Sequence, residues 1–209
     1  MAKGLPNDLQ LLAGAARAVP AAAERTGRIA GHDRRIARAA AGDRQAAAEL
    51  LGELLPRVRN LVRFLCPGDS EVDDHSQAAL IEILRALPGF EGRSALTTWA
   101  DRITVRVTLR RVRKSRSQQA SLQPLDEGEI RDSTPPPDGS AMTRRQLAEM
   151  LDRLPEPQRQ VLVLHHLIGM SVPEVAEALE VPFETARSRL RLATGRLRAL
   201  CVDDGAADD

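Results

Sequence analysis

The sequence predicts an all-α protein in which two small helical domains are joined by an extended acidic linker. Only 2% of the 209 residues are aromatic and none is Tyr. The cores must therefore consist of Leu, Val, Ile and Ala, which favours helices over sheets. Apolar residues recur at helical spacing over residues 33–116 and again over residues 142–200. Residues 117–141 contain four prolines and five acidic residues but almost no large apolar ones, which is typical of a linker.

Charge and cysteine content narrow the possible classes of protein. The formal net charge is +1, so any affinity for nucleic acid must come from local basic patches. Cys66 and Cys201 stand alone in the sequence. They indicate neither a disulfide framework nor a cysteine-based metal site, and they fit a reducing compartment.

Residues 1–32 form an Ala-rich N-terminal extension that we expect to be loosely ordered or partly helical. Asp8, Gln10 and Arg17 interrupt its apolar run too often for a secretory signal. No stretch of the chain reaches the length of a membrane-spanning helix. We therefore predict a cytoplasmic protein that does not contact the membrane.

Residues 33–116, the first predicted domain, contain one helical pattern after another. The patterns are separated at Gly42, at Pro67-Gly68 and at Pro88-Gly89, which are typical helix terminators. Pro56 lies inside the segment "ELLGELLPRVRNLVRFL". Because proline lacks an amide hydrogen and its ring crowds the preceding turn, we expect it to kink or break this helix.

The last helical pattern of this domain is strongly basic. Residues 97–116 contain six Arg and one Lys against a single acid, Asp101. An Arg stripe separates two apolar faces, although a free surface helix needs only one. We expect one face to pack on the domain and the other to contact a second molecule. The alternative is that both are buried and the arginines extend to solvent between them. The stripe comprises Arg102, Arg106, Arg110 and Arg113; the faces comprise Leu96, Trp99, Ile103 and Val107, and Val105, Leu109 and Val112.

The segment "PGFEGRSAL" immediately precedes this basic pattern. It combines Gly89 and Gly92 with Phe90 and Arg93. Such a loop can bring its backbone and an aromatic ring close to an unstacked base, and stacking on an aromatic ring suits single-stranded nucleic acid.

The segment from Ser171 to Leu200 predicts a helix-turn-helix. Ser171 and Glu174 have the spacing of a capping box at the start of a short amphipathic helix. Pro182 disfavours continuation of that helix, and Glu180 occupies the turn position where many such motifs carry Gly.

The second helix of this motif is polarised. Residues 183–200 carry five Arg against one acid, Glu184. This layout is typical of a helix whose N-terminal polar residues enter the DNA major groove; the alternative is a surface hairpin with a solvated charged face. The apolar side of the helix comprises Ala186, Leu190, Ala193, Leu197 and Leu200.

The sequence predicts no catalytic residues, no metal site and no cofactor. His165 and His166 are adjacent, so they do not have the i, i+4 spacing of a helical ligand pair, and His32 and His75 are isolated. There is no Gly-rich phosphate-binding loop, and the acids of the linker are too mobile for a paired-carboxylate site.

Three segments carry a resemblance to a known family: "RAAAGDRQAAAEL", "DDHSQAALIEILRALPGFEGRSALTTWADRI" and "LPEPQRQVLVLHHLIGMSVPEVAEALEVPFETARSRLRLATGRLRAL". Over residues 33–200 the chain resembles a bacterial RNA polymerase sigma factor of the sigma-70 family, extracytoplasmic-function (ECF) group. The last segment matches the family's region 4 in length and spacing, and the middle one matches region 2 in framework. The middle segment departs from the pattern at Ala100, Asp101 and Arg106, where the family usually has an aliphatic–Tyr pair and a later Asn.

The resemblance implies a non-catalytic specificity subunit that binds core RNA polymerase at the clamp helices of its largest subunit and at its flap. It implies that residues 33–116 dock on polymerase and recognise and help to open the −10 promoter element. Residues 142–200 would recognise the −35 element as duplex DNA, and residues 201–209 form a short acidic tail. An anti-sigma factor is a possible further partner.

The candidate residues implied by the resemblance fall into three sets. Several are also suited by chemistry, since Arg pairs with guanine and Glu with cytosine in the major groove. The sets are Asp74, Gln77 and Leu80 for polymerase; Phe90, Arg93, Trp99, Arg102, Arg106 and Arg110 for the −10 element; and Glu184, Thr185, Arg187, Ser188 and Arg191 for the −35 element.

Two other interpretations remain open from the residues. One is a stand-alone transcriptional regulator that uses only the C-terminal helix-turn-helix; the helix containing Trp99 and the loop before it argue against this. The other is an enzyme that acts on nucleic acid, for which the sequence offers no catalytic constellation.

Overall fold

The computed structural model describes residues 29–68, 70–120 and 144–205, with side-chain surroundings for residues 34–68, 70–117 and 144–200. Every secondary-structure element in these residues is helical, which confirms the predicted all-α class. The chain divides into an N-terminal unit that includes residues 29–120 and a C-terminal unit that includes residues 144–205. Most of the predicted N-terminal extension and linker, and the end of the tail, lie outside the described residues.

The described part of the N-terminal unit is a helical assembly centred on one long helix. Helix α2 contacts α1, α3 and α4, and α3 contacts α4. The elements are α1 (Ile29–Ala40), α2 (Arg44–Leu65), α3 (Val72–Ala86), a 3-10 turn (Leu87–Gly89) and α4 (Leu96–Ala120).

Helix α2 begins at an N-cap. The Asp43 carboxylate accepts hydrogen bonds from the backbone N–H groups of Gln45 (3.0 Å) and Ala46 (3.1 Å). It also accepts from the guanidinium of Arg38 at the end of α1. The Ala46 hydrogen bond, followed by the Arg38 interaction, lowers the pKa of Asp43, so the cap stays ionised and joins α1 to α2.

Helix α2 is continuous through Pro56, so the expected break there is wrong. A proline removes the hydrogen bond to the carbonyl four residues earlier, which belongs to Gly52. Both Pro56 and Gly52 lie on the exposed side of the helix. Water can therefore take the place of the missing donor, and the helix tolerates the proline.

Helix α4 buries both of its apolar faces, so our expectation that one face would contact a second molecule is wrong. Ile103 and Val107 on one side and Val105 and Leu109 on the other are all buried. The reason is topological: α4 contacts both α2 and α3, so each face has its own partner within the unit. Arg102, Arg106 and Arg110 extend to solvent between these faces.

The C-terminal unit places its helix-turn-helix on a small apolar core. Helix α8 contacts both α6 and α7, and its Ala186, Ala193 and Leu197 are buried as the periodicity predicted. The described elements are α5 (Arg144–Asp152), α6 (Glu156–Leu162), a π-helical turn (Val163–Leu167), α7 (Val172–Leu179) and α8 (Phe183–Gly205).

The turn between α7 and α8 follows the sequence signals closely. The Glu174 carboxylate accepts hydrogen bonds from Ser171 N–H and Ser171 Oγ, each at 2.8 Å, which confirms the predicted capping box. Glu180 adopts φ 55° and ψ 44°, the left-handed conformation that glycine adopts most easily. The chain thus keeps the tight turn that orients α8 even though a side chain occupies this position.

Several helix ends differ from the predicted boundaries. Helix α1 begins at Ile29, before the expected start of the domain, and α8 continues to Gly205, inside the predicted tail. Helix α4 continues to Ala120, so the first four residues of the predicted linker are helical. Residues 117–120 contain no proline or glycine, and nothing in them stops a helix.

Candidate nucleic-acid interface

Helix α8 presents a polar face opposite its buried side. Glu184, Arg187, Ser188 and Arg191 are exposed, and Thr185 is half-buried. These five residues occupy the first turns of α8, where the N-terminal end of the helix dipole favours an approach to phosphate. The exposed polar residues at the N-terminal end of α8 therefore have the arrangement expected of a helix that binds in the DNA major groove.

Two arginines of α8 contact neighbouring polar side chains. Arg187 Nη1 lies 4.0 Å from Glu184 Oε1, one turn earlier on the same face. Further along, Arg196 Nη1 donates to Gln158 Oε1 of α6 at 3.1 Å. Arg187 thus lies near the N-terminal end of α8, while Arg196 contacts α6 in the body of the unit.

The polar face of α8 also carries an apolar side chain that the sequence analysis did not select. Leu192 is 48% exposed, and it follows Arg191 and lies one turn beyond Ser188. A helical wheel centred on the buried Ala186 and Ala193 places Leu192 outside the buried side. Leu192 was not selected from the sequence because apolar residues are usually assigned to the core.

The loop before α4 brings two candidate residues together. The rings of Phe90 and Trp99 are 5.1 Å apart between centroids and tilted by 54°, a favourable aromatic geometry. Both rings are half-buried, so each retains surface that a base could contact. Arg93 is exposed and its Nε forms an ion pair of 2.5 Å with Glu91, a residue that the sequence analysis did not select.

Asp101 is the only acid within the basic part of α4, and it is turned away from the arginine stripe. Arg57 of α2 donates from Nε to Asp101 Oδ1 (2.7 Å) and from Nη2 to Oδ2 (2.6 Å). The two side chains are 22% and 8% exposed. Because this bidentate pair neutralises the carboxylate inside the unit, the exposed surface formed by Arg102, Arg106 and Arg110 remains cationic.

Helix α3 presents a mixed acidic and apolar surface. Asp74 and Gln77 are exposed, whereas Leu80 is half-buried. The exposed apolar residues are instead Ile81 (43%) and Leu84 (39%), which lie four and seven residues beyond Gln77 and therefore continue its face. The i, i+4, i+7 spacing in the sequence could have identified them.

The two adjacent histidines lie in the π-helical turn, where Ile168 N–H donates to Val163 O. Their rings contact edge to face at 4.7 Å, and His165 Nδ1 donates to Met170 O at 2.8 Å. Burial, with a smaller contribution from His165, lowers the pKa of His166 to about 4. Among the residues that the structure describes, no group of three or more His, Cys, Asp or Glu could hold a metal ion.

Within the same described ranges, no helix combines the length and apolar character needed to cross a bilayer.

Comparisons with known proteins match regions in both units of the chain. The Sigma-70 region 2 family model matches residues 50–118, and the Sigma-70, region 4 model matches residues 144–197. The RNA polymerase sigma factor NccH of Alcaligenes xylosoxydans xylosoxydans is 30% identical over 168 residues, covering 78% of this chain and 90% of NccH. The ECF RNA polymerase sigma-E factor of Escherichia coli strain K12 is 30% identical over 166 residues, covering 74% and 86%.

A solved structure shows the same fold. The sigma factor RpoE of Bartonella quintana, in complex with the anti-sigma factor NepR, has a TM-score of 0.51 and 22% sequence identity, and the match covers 74% of this chain and 95% of that one.

The chain therefore belongs to the sigma-70 family of RNA polymerase sigma factors. Within that family it is an extracytoplasmic-function sigma factor, and it directs the initiation of transcription. A stand-alone regulator is not favoured, because the region 2 match covers the N-terminal unit as well.

Proposed function

We propose that α8 recognises the −35 element through Glu184, Thr185, Arg187, Ser188 and Arg191. The observation that carries this assignment is the exposed polar face at the N-terminal end of α8, opposite a side on which Ala186, Ala193 and Leu197 are buried. A helix supported in this way can insert its first turns into the major groove without losing core contacts. Arginine and glutamate there have the donor and acceptor groups that discriminate guanine and cytosine.

The −10 element is recognised by the N-terminal unit in this proposal. The half-buried Phe90–Trp99 pair offers an aromatic surface to an unstacked base, and Arg93 lies in the same loop. Arg102, Arg106 and Arg110 provide a cationic row for the phosphates of the opened strand. The Arg57–Asp101 pair supports the assignment, since it neutralises the one acid within the basic part of α4.

Core RNA polymerase docks on α3 in this proposal. Asp74 and Gln77 provide the acidic and polar part of the face, and Leu80, Ile81 and Leu84 provide the apolar part. A surface that combines exposed Ile and Leu with carboxylates suits a partner helix that is basic at its rim and apolar at its centre. We assign this partner to the clamp helices of the largest subunit, with the flap as the contact of the C-terminal unit.

Three further features complete the proposal. The protein is a non-catalytic subunit, because promoter choice requires binding and positioning while polymerase performs the chemistry. It acts in the cytoplasm, where it meets polymerase and promoter. An anti-sigma factor is a regulatory partner, by analogy with the complex of the Bartonella quintana protein with NepR.

The experiment that tests the proposal combines the protein with core polymerase on a supercoiled promoter library and maps the transcript start sites. We expect a discrete set of promoters that share −10 and −35 sequences. Ile81→Asp should lower the affinity for core polymerase about tenfold or more, because docking would bury an unpaired charge. Leu55→Ala, at a leucine of α2 that is 38% exposed, is the control and should leave it unchanged. Initiation at random positions would contradict the proposal.

A further inference from the structure

Leu192 is an apolar side chain within the polar face of α8. It is 48% exposed, more than any other large apolar residue among those the structure describes. The buried side of α8, formed by Ala186, Ala193 and Leu197, lies on the other side of the helix. About half of Leu192 therefore remains available to a second molecule.

The surroundings of Leu192 are those of a DNA-reading surface. It follows the exposed Arg191 and lies one turn beyond Ser188, two of the residues proposed to face the −35 element. One turn further on the same side is the exposed Gly195, where an added Cβ atom would meet nothing within 4 Å. Beyond Arg191 this edge of α8 thus changes from long cationic side chains to a short apolar one.

The chemistry of the major groove determines what such a side chain can contact. Base edges there present hydrogen-bond donors and acceptors, and the apolar group they present is the C5-methyl of thymine. A leucine that lies beside Arg191 on this face can bury that methyl group and lose its own exposed surface at the same time. Serine and arginine in the neighbouring positions cannot make this contact equally well.

We propose that Leu192 is a specificity-determining residue that contacts the C5-methyl of a thymine in the −35 element. The inference rests on the proposed recognition of that element by α8, and it names the base feature for which this position selects. An A·T pair is therefore required at one position of the −35 sequence.

The test removes the methyl group from the DNA and the leucine from the protein. The −35 sequence is first selected with wild-type holoenzyme from a randomised duplex library. Each thymine on either strand is then replaced singly by deoxyuridine, which keeps the base pair and lacks only the methyl group. We expect the affinity of wild-type holoenzyme to fall about fourfold when one particular thymine is replaced. This factor corresponds to the free energy of burying one methylene-sized group.

Variants separate this contact from general effects. Leu192→Ala should bind thymine and deoxyuridine equally at that position, whereas Leu192→Met, which keeps an apolar side chain, should still discriminate. Leu55→Ala, another exposed leucine, should behave as wild type. Circular dichroism should show the same helix content in all of these proteins, since each change is made at an exposed side chain outside the buried core.

The outcomes distinguish the inference from the function on which it rests. Selection of a −35 sequence with no deoxyuridine effect, or one that persists in Leu192→Ala, overturns the Leu192 contact and leaves −35 recognition intact. The same holds if Leu192→Ala weakens only polymerase binding, since a protein would then cover this side chain. Failure to select any −35 sequence overturns both.

Discussion

Arg187 and Arg198 lie on the same helix and carry the same charge, but they are separated by about three turns. Arg187 is exposed near the N-terminal end of α8, beside Glu184 and Ser188. Arg198 is exposed further along, where a helix inserted by its N-terminal end meets only the DNA backbone. We therefore propose that the position of each arginine on α8, and not its chemistry, sets whether it contacts bases or phosphates.

Replacing each arginine separately tests this distinction. Arg187→Ala should cost about 1–3 kcal/mol on the preferred −35 sequence and relax the preference at one or two base pairs. Arg198→Ala should weaken binding to all sequences alike and reduce the salt slope by about one unit. The measurement is transcription from promoter variants together with salt-dependent binding. A uniform loss over all variants in Arg187→Ala would mean that this residue contacts phosphate only.

His166 makes the stability of the C-terminal unit depend on pH. Burial, and then the neighbouring His165, lower its pKa from the ordinary value of 6.5 to about 4. The folded state therefore favours the neutral ring, and the unfolded chain binds a proton at a higher pH. The stability that this group contributes is complete above about pH 6.5 and is lost as the pH falls towards 4.

We expect the unfolding temperature of the C-terminal unit to fall between pH 6.5 and pH 5, above the range in which most carboxylates titrate. His166→Gln should reduce that slope, because glutamine takes up no proton. Circular dichroism follows the whole protein, and the fluorescence of Trp99, the one tryptophan of the chain, identifies the transition of the N-terminal unit. An unchanged slope in His166→Gln would show that other groups cause the pH dependence.

At the scale of elements, the N-terminal unit depends on the connection between α2 and α4. The Arg57–Asp101 pair joins residues 44 positions apart and holds the first turns of α4, which carry Trp99 and Arg102, against α2. Removing one partner of a buried ion pair leaves the other charge without compensation, which costs more than the pair itself contributes. The exposed pair between Arg59 and Asp73, at 2.7 Å, provides a natural comparison.

Asp101→Ala should therefore lower the free energy of unfolding of the N-terminal unit by about 2–4 kcal/mol. Asp73→Ala should change it by less than about 0.5 kcal/mol, because that pair is solvated. Urea unfolding followed by Trp99 fluorescence measures both. The double variant Arg57→Met with Asp101→Leu should recover much of the loss, since two apolar groups need no compensation; equal losses in all three proteins would contradict this account.

At the scale of the whole molecule, the chain consists of two units, for which we propose different nucleic-acid tasks. The region 2 and region 4 matches end at residue 118 and begin at residue 144. Between them, the sequence has the proline and acidic content that prevents a packed core. This composition predicts a linker between the two matched regions, and its acidic charge disfavours contact with DNA.

Limited proteolysis tests this connection. A glutamate-specific protease should first cut the intact protein after Glu127 or Glu129, between the end of α4 at Ala120 and the start of α5 at Arg144. Glu53 and Glu82 lie within helices α2 and α3 and should be cut much later, because cleavage requires local unfolding. Mass spectrometry identifies the fragments, and a first cut inside either unit would contradict the predicted linker.

The sequence by itself predicted the features that depend on interactions within one or two helical turns. The capping box at Ser171 and Glu174, the start of α8 after Pro182 and the buried side of α8 are of this kind. Spacing and capping chemistry are local, so they can be recognised before any packing is known. The family resemblance was also visible at this level, because it resides in contiguous segments.

Only the tertiary structure decided which surfaces remain exposed. The sequence showed two apolar faces on α4, but contact with both α2 and α3 was needed to bury them, and the exposed side of α2 allowed it to continue through Pro56. The pairing of Arg57 with Asp101 and the exposure of Leu192 also depend on neighbours. Packing between distant segments fixes such features, since burial belongs to the assembled helices and not to any one of them.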